Sequence, residues 1–201
     1  MLFPPLATTP FFLALVLWTT AAEGALYRTA SIGGSGGAGG FNDFTVIGSL
    51  SDYRPHNILL WQECVNGGSC NVGSGFTGFE PSHAICETFN CYNKWERKSV
   101  INNWPDVGPT SDVVLEHGDF VEMMYGYIRI GEGTYSGLYL LNGVGIVVRK
   151  RGAEGVSEEI FAGYREGLYV EILGPLVGFW GDVGDAFDQL GAYMDPSVWL
   201  E

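Results

Sequence analysis

Helical spacing of apolar residues is nearly absent from this chain; short runs of β-branched and aromatic residues recur instead, separated by Gly, Asn and Asp. The candidate strands are FTVIGSL (44–50), NILLWQE (57–63), DVVLEH (112–117), VEMMYGYIRI (121–130), GLYVEIL (167–173), LVGFWG (176–181) and QLGAYM (189–194). GLYLLNGVGIVVRK (137–150) is long enough for two strands or one bulged strand. Eight or more strands at this spacing predict an all-β domain, whether sandwich, barrel or prism.

One apolar run differs in kind. FFLALVLW, preceded by MLFPPLATTP and followed by TTAAEGA, has the layout of an export signal with cleavage before Ala25. It is shorter than the roughly 20 residues that span a bilayer, and no later stretch is long and apolar enough to cross one. Residues 1–24 are therefore expected to be a signal peptide, 25–201 the mature domain, and the protein secreted and extracellular, without membrane insertion. The formal net charge is −13, a balance that repels phosphate backbones, so nucleic acid is not an expected partner. The cluster Arg149, Lys150 and Arg151 ends an apolar strand and reads as solvated charge.

Cys64, Cys70, Cys86 and Cys91 are not spaced as zinc-binding CxxC pairs, and an even count in an exported chain points to disulfides. Three pairings are open; the short closures Cys64–Cys70 and Cys86–Cys91 are preferred because they form readily. Residues 64–111 hold all four cysteines and few long apolar runs, which predicts a loop-rich, disulfide-stapled insertion. No N-glycosylation sequon occurs.

Two stretches carry candidate chemistry. IGGSGGAGG (32–40) runs directly into FNDFTV, so its glycines abut a strand and can bring bare backbone N–H groups close to a ligand. GFWGDVGDAFDQLGAYM (178–194) places three Asp at what reads as a hairpin turn, where acids facing outward together can accept from hydroxyl groups. The competing reading is that Asp188 merely bonds its own turn.

Taken together, GGSGGAGGFNDF (33–44) and GFWGDVGDAFDQLGAY (178–193) resemble the opening and closing motifs of the jacalin-related lectins. SDVVLEHGDFVEMMYGYI (111–128) and GLYLLNGVGIVV (137–148) are similar to that family's middle strands, with Asp119 where Glu is common. The resemblance implies a β-prism I fold, three four-stranded sheets around a pseudo-threefold axis. It covers roughly 31–53 and 111–194; between them the family's second and third strands are replaced by the cysteine-bearing segment. It also implies a monosaccharide held between the Gly-rich loop and the last hairpin. Backbone N–H groups of Gly37, Asp185 and Ala186 would donate to sugar oxygens, and the Asp188 carboxylate would accept from two hydroxyls. Family members preferring galactose have the glycine loop cut to free an amino terminus. Here the loop is internal, so mannose- or glucose-containing glycans are the expected partners, with self-association possible. Tyr164 and Tyr169 are candidate aromatic faces for a sugar ring.

The chain is not expected to be an enzyme or to need a cofactor or metal. His56, His83 and His117 are scattered without an HExxH, no GxSxG surrounds a serine, and the pairs Glu116/Asp119 and Glu158/Glu159 lie in stretches that read as solvated turns. The alternative reading is a secreted interaction protein whose sugar site is idle and whose insertion binds a protein partner.

Overall fold

A computed structural model describes residues 26–34, 39–43, 53–62, 76–87, 90–95, 98–99, 111–116, 118–131, 136–152, 155–183 and 187–200; within these, side chains are described except at 53–54, 61–62, 76–99, 183, 187 and 199–200. The chain is built almost wholly of strands: β1 (Tyr27–Arg28), β2 (Ile32–Gly33), β3 (Gly39–Asn42), β4 (Tyr53–Gln62), β5 (Phe76–Glu87), β6 (Asn90–Trp95), β7 (Lys98–Ser99), β8 (Ser111–Val114), β9 (Phe120–Ile130), β10 (Tyr139–Arg149), β11 (Ser157–Gly163), β12 (Leu168–Val183) and β13 (Phe187–Met194). A 3-10 turn, Pro196–Leu200, follows. No helix among the described residues is long and apolar enough to cross a membrane.

Three antiparallel sheets enclose one core. The first consists of β4 between β5 and β8, with β6 and β7 both pairing with β5. The other two share β12, which is long enough to belong to both. Its first part (Leu168–Leu173) pairs with β9, continuing the sheet β12-β9-β10-β11. Its second part, past a cis Gly174–Pro175 bond and a register break between Leu173 and Leu176, pairs with β13 and β3. Pro175 lacks an N–H for the ladder, so the turn from one sheet to the next falls where a hydrogen bond is already missing. This is the all-β prism that the sequence implies, and β10 is one bulged strand, with register breaks at Leu141/Gly143 and Val147/Val148.

Side chains from all three sheets meet at the centre. Ile58 and Leu60 of β4, Met124 of β9, Val144 and Ile146 of β10, Phe179 of β12 and Leu190 of β13 are all fully buried in one cluster. Phe179 is the largest of them, and truncating such a ring in a closed core costs about 3–5 kcal/mol. A smaller cluster on the outer side joins Val177, Trp180, Tyr193 and Val198, with Leu26 and Phe120 packed against it. The guanidinium of Arg28 stacks 3.7 Å from the Trp180 ring.

Two expectations are corrected. Within 64–111, read from the sequence as loop-rich, Phe76–Glu87, Asn90–Trp95 and Lys98–Ser99 are strands: they form β5, β6 and β7, which build the first sheet on β4, while the rest of the segment up to residue 110, with Cys64 and Cys70, lies outside the described residues. Gly78 and Pro81 interrupt the apolar pattern of β5, and Pro81, paired with Ile58 on one side, falls on the other between the stretches that pair with β6 and β7, where a strand tolerates proline. Glu158 and Glu159 are strand residues of β11, and Asp119 is buried; none of the three is in a solvated turn. FTVIGSL (44–50) lies outside the described residues.

Candidate functional site

The strand order explains how two distant stretches come to one place. β2 pairs with the outer edge of β13 and β3 with the outer edge of β12, giving the order β2-β13-β12-β3. The N-terminal pair thus straddles the C-terminal hairpin. The connection 34–38 leaves β2 on one flank and returns to β3 on the other, while the connection 184–186 joins the two central strands at the same end. Both stretches singled out in the sequence therefore sit over one end of the prism.

Asp188 lies where they meet. Asp182 pairs with Gln189 and Val183 pairs with Phe187, so β13 carries one residue more than β12, and that extra residue is Asp188. A bulge of this kind frees a residue from the ladder and re-aims its side chain. The Asp188 carbonyl turns to the other neighbour and accepts the Gly34 N–H at 2.8 Å. The approach is so close that a Cβ on Gly33 would stand 2.1 Å from that carbonyl oxygen, and Gly33 has φ +113°, so glycine is required on both counts. Asp188 has further interactions with neighbouring groups, and the residue is only 7 % exposed. Gly37, Asp185 and Ala186 lie outside the described residues, within the two connections; their described anchors are Gly34 and Gly39 on one side and Val183 and Phe187 on the other.

Tyr139 was not anticipated. Its backbone and Cβ press against Gly34, where an added Cβ would be 2.6 Å from the Tyr139 carbonyl oxygen, and it is 57 % exposed. Its signal in the sequence is only an aromatic following the Ser-Gly of a turn. Tyr169, by contrast, is drawn into an aromatic cluster with Tyr125 and Tyr127, at 5.6 and 5.5 Å between ring centres. Its hydroxyl donates to Glu171 at 2.8 Å; burial and that carboxylate push its pKa up to about 12.

The remaining charged groups bind one another. The Glu159 carboxylate accepts from the Tyr125 hydroxyl and from Arg165, and these two contacts hold it below the usual carboxylate range. Arg149 pairs with Glu122, lowering the Glu122 pKa. Lys150 bridges Asp119 at 3.3 Å and Glu158 at 2.9 Å. Burial pushes Asp119 up, but the N–H groups of Arg151 and Glu116 and the Lys150 ammonium outweigh it and leave its pKa lowered. Arg149 and Lys150 of the basic cluster are thus engaged in structural pairs. No group of three or more His, Cys, Asp or Glu side chains suited to a metal occurs among the described residues.

This is the fold of the jacalin-related lectins, a β-prism with its candidate site at the end where the N-terminal loop crosses the last hairpin. Among the solved structures it resembles, a mannose-specific jacalin-related lectin from Morus nigra, solved with mannose, superposes with a TM-score of 0.59 at 15 % identity, over 88 % of this chain and 97 % of that one. Artocarpin in complex with mannotriose gives 0.57 at 17 % identity, over 86 % and 97 %. A mannose-binding lectin from Champedak gives 0.56 at 18 % identity, over 87 % and 98 %. No protein-family model matches the chain, and no curated protein matches it in sequence.

Proposed function

We propose that the protein is a secreted, non-catalytic lectin that takes a mannose- or glucose-type sugar between the 34–38 loop and the 184–186 turn. The observation that carries this reading is the bulge at Asp188: a buried acidic residue that β13 carries in excess of β12, at the end of the sheet from which β2 and β12 run out and β3 and β13 begin. In this reading the Asp188 carboxylate accepts from two sugar hydroxyls, and the backbone N–H groups of Gly37, Asp185 and Ala186 donate to sugar oxygens. The mannose-bound neighbours of the same fold support the sugar class. The export signal at 1–24 supports secretion.

A single monosaccharide site of this kind works near millimolar affinity, about −4 kcal/mol, so useful avidity comes from several sites joined by self-association. The test is a glycan array with the mature protein beside Asp188→Ala, with circular dichroism as the check on folding. Charge-assisted hydrogen bonds contribute about 1.5–3 kcal/mol each. Losing two of them removes most of about −4 kcal/mol, and signal on mannose- and glucose-terminated glycans should vanish. A folded wild-type protein silent on every such glycan overturns the reading and turns attention to residues 64–111 as a protein-binding surface.

A further inference from the structure

The last complete rung of the sheet before the two loops leave it runs Gly33–Gln189–Asp182–Gly40, one residue from each of β2, β13, β12 and β3. Its outer members are glycines; its inner members are the only polar pair on the rung, and they are joined. The Gln189 amide N–H donates to Asp182 Oδ2, while its carbonyl oxygen Oε1 accepts the Ser31 hydroxyl at 2.8 Å. On the far side, a Cβ on Gly40 would come within 2.7 Å of Asp182 Oδ1, so the carboxylate lies flat against bare backbone. One line of polar contacts therefore runs from Ser31, just before the strand that enters the N-terminal loop, across Gln189 to Asp182, whose carboxylate packs against the strand that receives it.

We infer that Gln189 and Asp182 form a positioning brace for the glycan site, fixing the spacing of the two loops and the place of the bulge. The inference rests on the lectin reading for its functional consequence but not for its mechanics. A register that carries one extra residue can slip by one, exchanging the bulged residue for its neighbour. The side-chain bond between Gln189 and its own register partner Asp182 opposes that slip, because a shift would separate them. It keeps Asp188 as the extra residue. The amide suits this place because it both donates and accepts: Asp182 needs a donor and the Ser31 hydroxyl needs an acceptor. Gln189 does not touch the sugar in this scheme; it acts through Asp188 and through the Gly33–Gly34 backbone.

The test exchanges the donor and acceptor without changing the net charge. Gln189→Glu alone sets two carboxylates against each other and removes the donor. Gln189→Glu with Asp182→Asn restores one acid and one amide in reversed order, leaves Ser31 its acceptor, and keeps the net charge of the wild type. Two readouts are taken on the mature protein: calorimetric binding of methyl α-mannoside, and hydrogen exchange of the Gly34 amide that bonds Asp188. In Gln189→Glu the exchange should accelerate about tenfold or more, and mannoside binding should weaken by about tenfold with an unchanged circular dichroism spectrum. The double variant should return both close to wild type. Unchanged exchange in Gln189→Glu, or no recovery in the double variant, overturns the brace. A wild-type protein that binds no mannoside overturns the lectin reading alone, since the exchange measurement still decides the brace. A single variant that exchanges faster yet binds as before shows that the spacing does not govern the site, and overturns the positioning role.

Discussion

Gly33→Ala tests whether contact between β2 and the Asp188 bulge builds the site. Two costs are separable. The first is conformational: φ +113° is foreign to an L-residue, and holding one there costs about 1–3 kcal/mol. The second is steric: the new Cβ would sit 2.1 Å from the Asp188 carbonyl oxygen and 3.0 Å from Gln189 Cα, both backbone atoms that no rotamer change can move aside. β2 must therefore back away by about 1 Å, since close-packed interiors do not absorb such an overlap. That shift breaks the Gly34–Asp188 hydrogen bond, worth about 0.5–1.5 kcal/mol. The total, about 2–4 kcal/mol, should lower Tm by about 5–15 °C in a chain of this size. Mannoside affinity should fall at least about tenfold as the loop spacing opens. Gly137→Ala is the matched control: it also has positive φ, at +84°, but an added Cβ meets nothing within 4 Å. It should lose only the conformational part, about 1–2 kcal/mol, and bind as wild type. Thermal unfolding and mannoside titration of both variants decide the matter. Equal losses of Tm in the two, with binding intact in Gly33→Ala, would refute the claim that this contact sets the site.

Asp119→Ala leaves the N–H groups of Glu116 and Arg151 without their acceptor beneath the surface and takes from the Lys150 ammonium one of the two carboxylates it bridges. It should lower urea-unfolding stability by about 2–4 kcal/mol; a change under about 0.5 kcal/mol would show that water replaces the carboxylate freely. Asp119, Glu122 and Glu159 all have depressed pKa values in the folded state, so their stabilisation is present above the unfolded carboxylate range, near pH 4, and is lost as pH falls through the lower folded values. Stability should decline on acidification below about pH 4, less steeply in Glu122→Gln; identical slopes would contradict the linkage. Cys86 and Cys91 face each other across the β5–β6 hairpin, with Glu87 paired to Asn90 next to the turn. Antiparallel partners have Cα atoms about 4.5–5.5 Å apart, within disulfide reach. Chymotryptic mapping under non-reducing conditions should link 80–89 to 90–92 and leave Cys64 and Cys70 together within 62–76. Either of those fragments crossed to 62–76, or free thiols, would exclude the pairing.

What the sequence showed and what it hid follow from how each residue acts. The two motifs were legible because they encode backbone demands that few residues meet: Gly33 at positive φ under a carbonyl, and an Asp in the first residues of the strand that β2 and β12 hold between them. The bulge itself was not legible. Phe187, Asp188, Gln189 and Leu190 read as an ordinary strand entry, and only pairing with β12 shows that one of them is surplus. Gln189 was passed over for the same reason, since a strand glutamine is unremarkable until Ser31 and Asp182 stand on either side of it. β11 was missed because Ser157–Glu159 is exposed and acidic, while its apolar residues, Ile160 and Ala162, are too few to make a run. β5 was missed because Gly78 and Pro81 break its pattern although β4 holds it in register.

The prism distributes constraint unevenly, and this is why its ends carry the resemblance while its first sheet does not. Strands β4 and β8 need only supply inward apolar volume, as Ile58, Leu60 and Val113 do, and hydrophobic residues of similar size exchange there at modest cost. The β2-β13-β12-β3 sheet must also present two loops at a set spacing with one residue expelled from the ladder between them. Gly33 and Gly34 each lie where a Cβ would strike backbone, so two positions tolerate nothing larger, and at Gly40 a Cβ would push against the Asp182 carboxylate. In the proposed lectin, the sheet that positions the sugar is held to particular residues by geometry, whereas a sheet that only closes the core is held to a pattern. The likeness to lectin structures at 15–18 % identity is one of fold, and the two motifs legible in the sequence are those whose strands pair in this sheet.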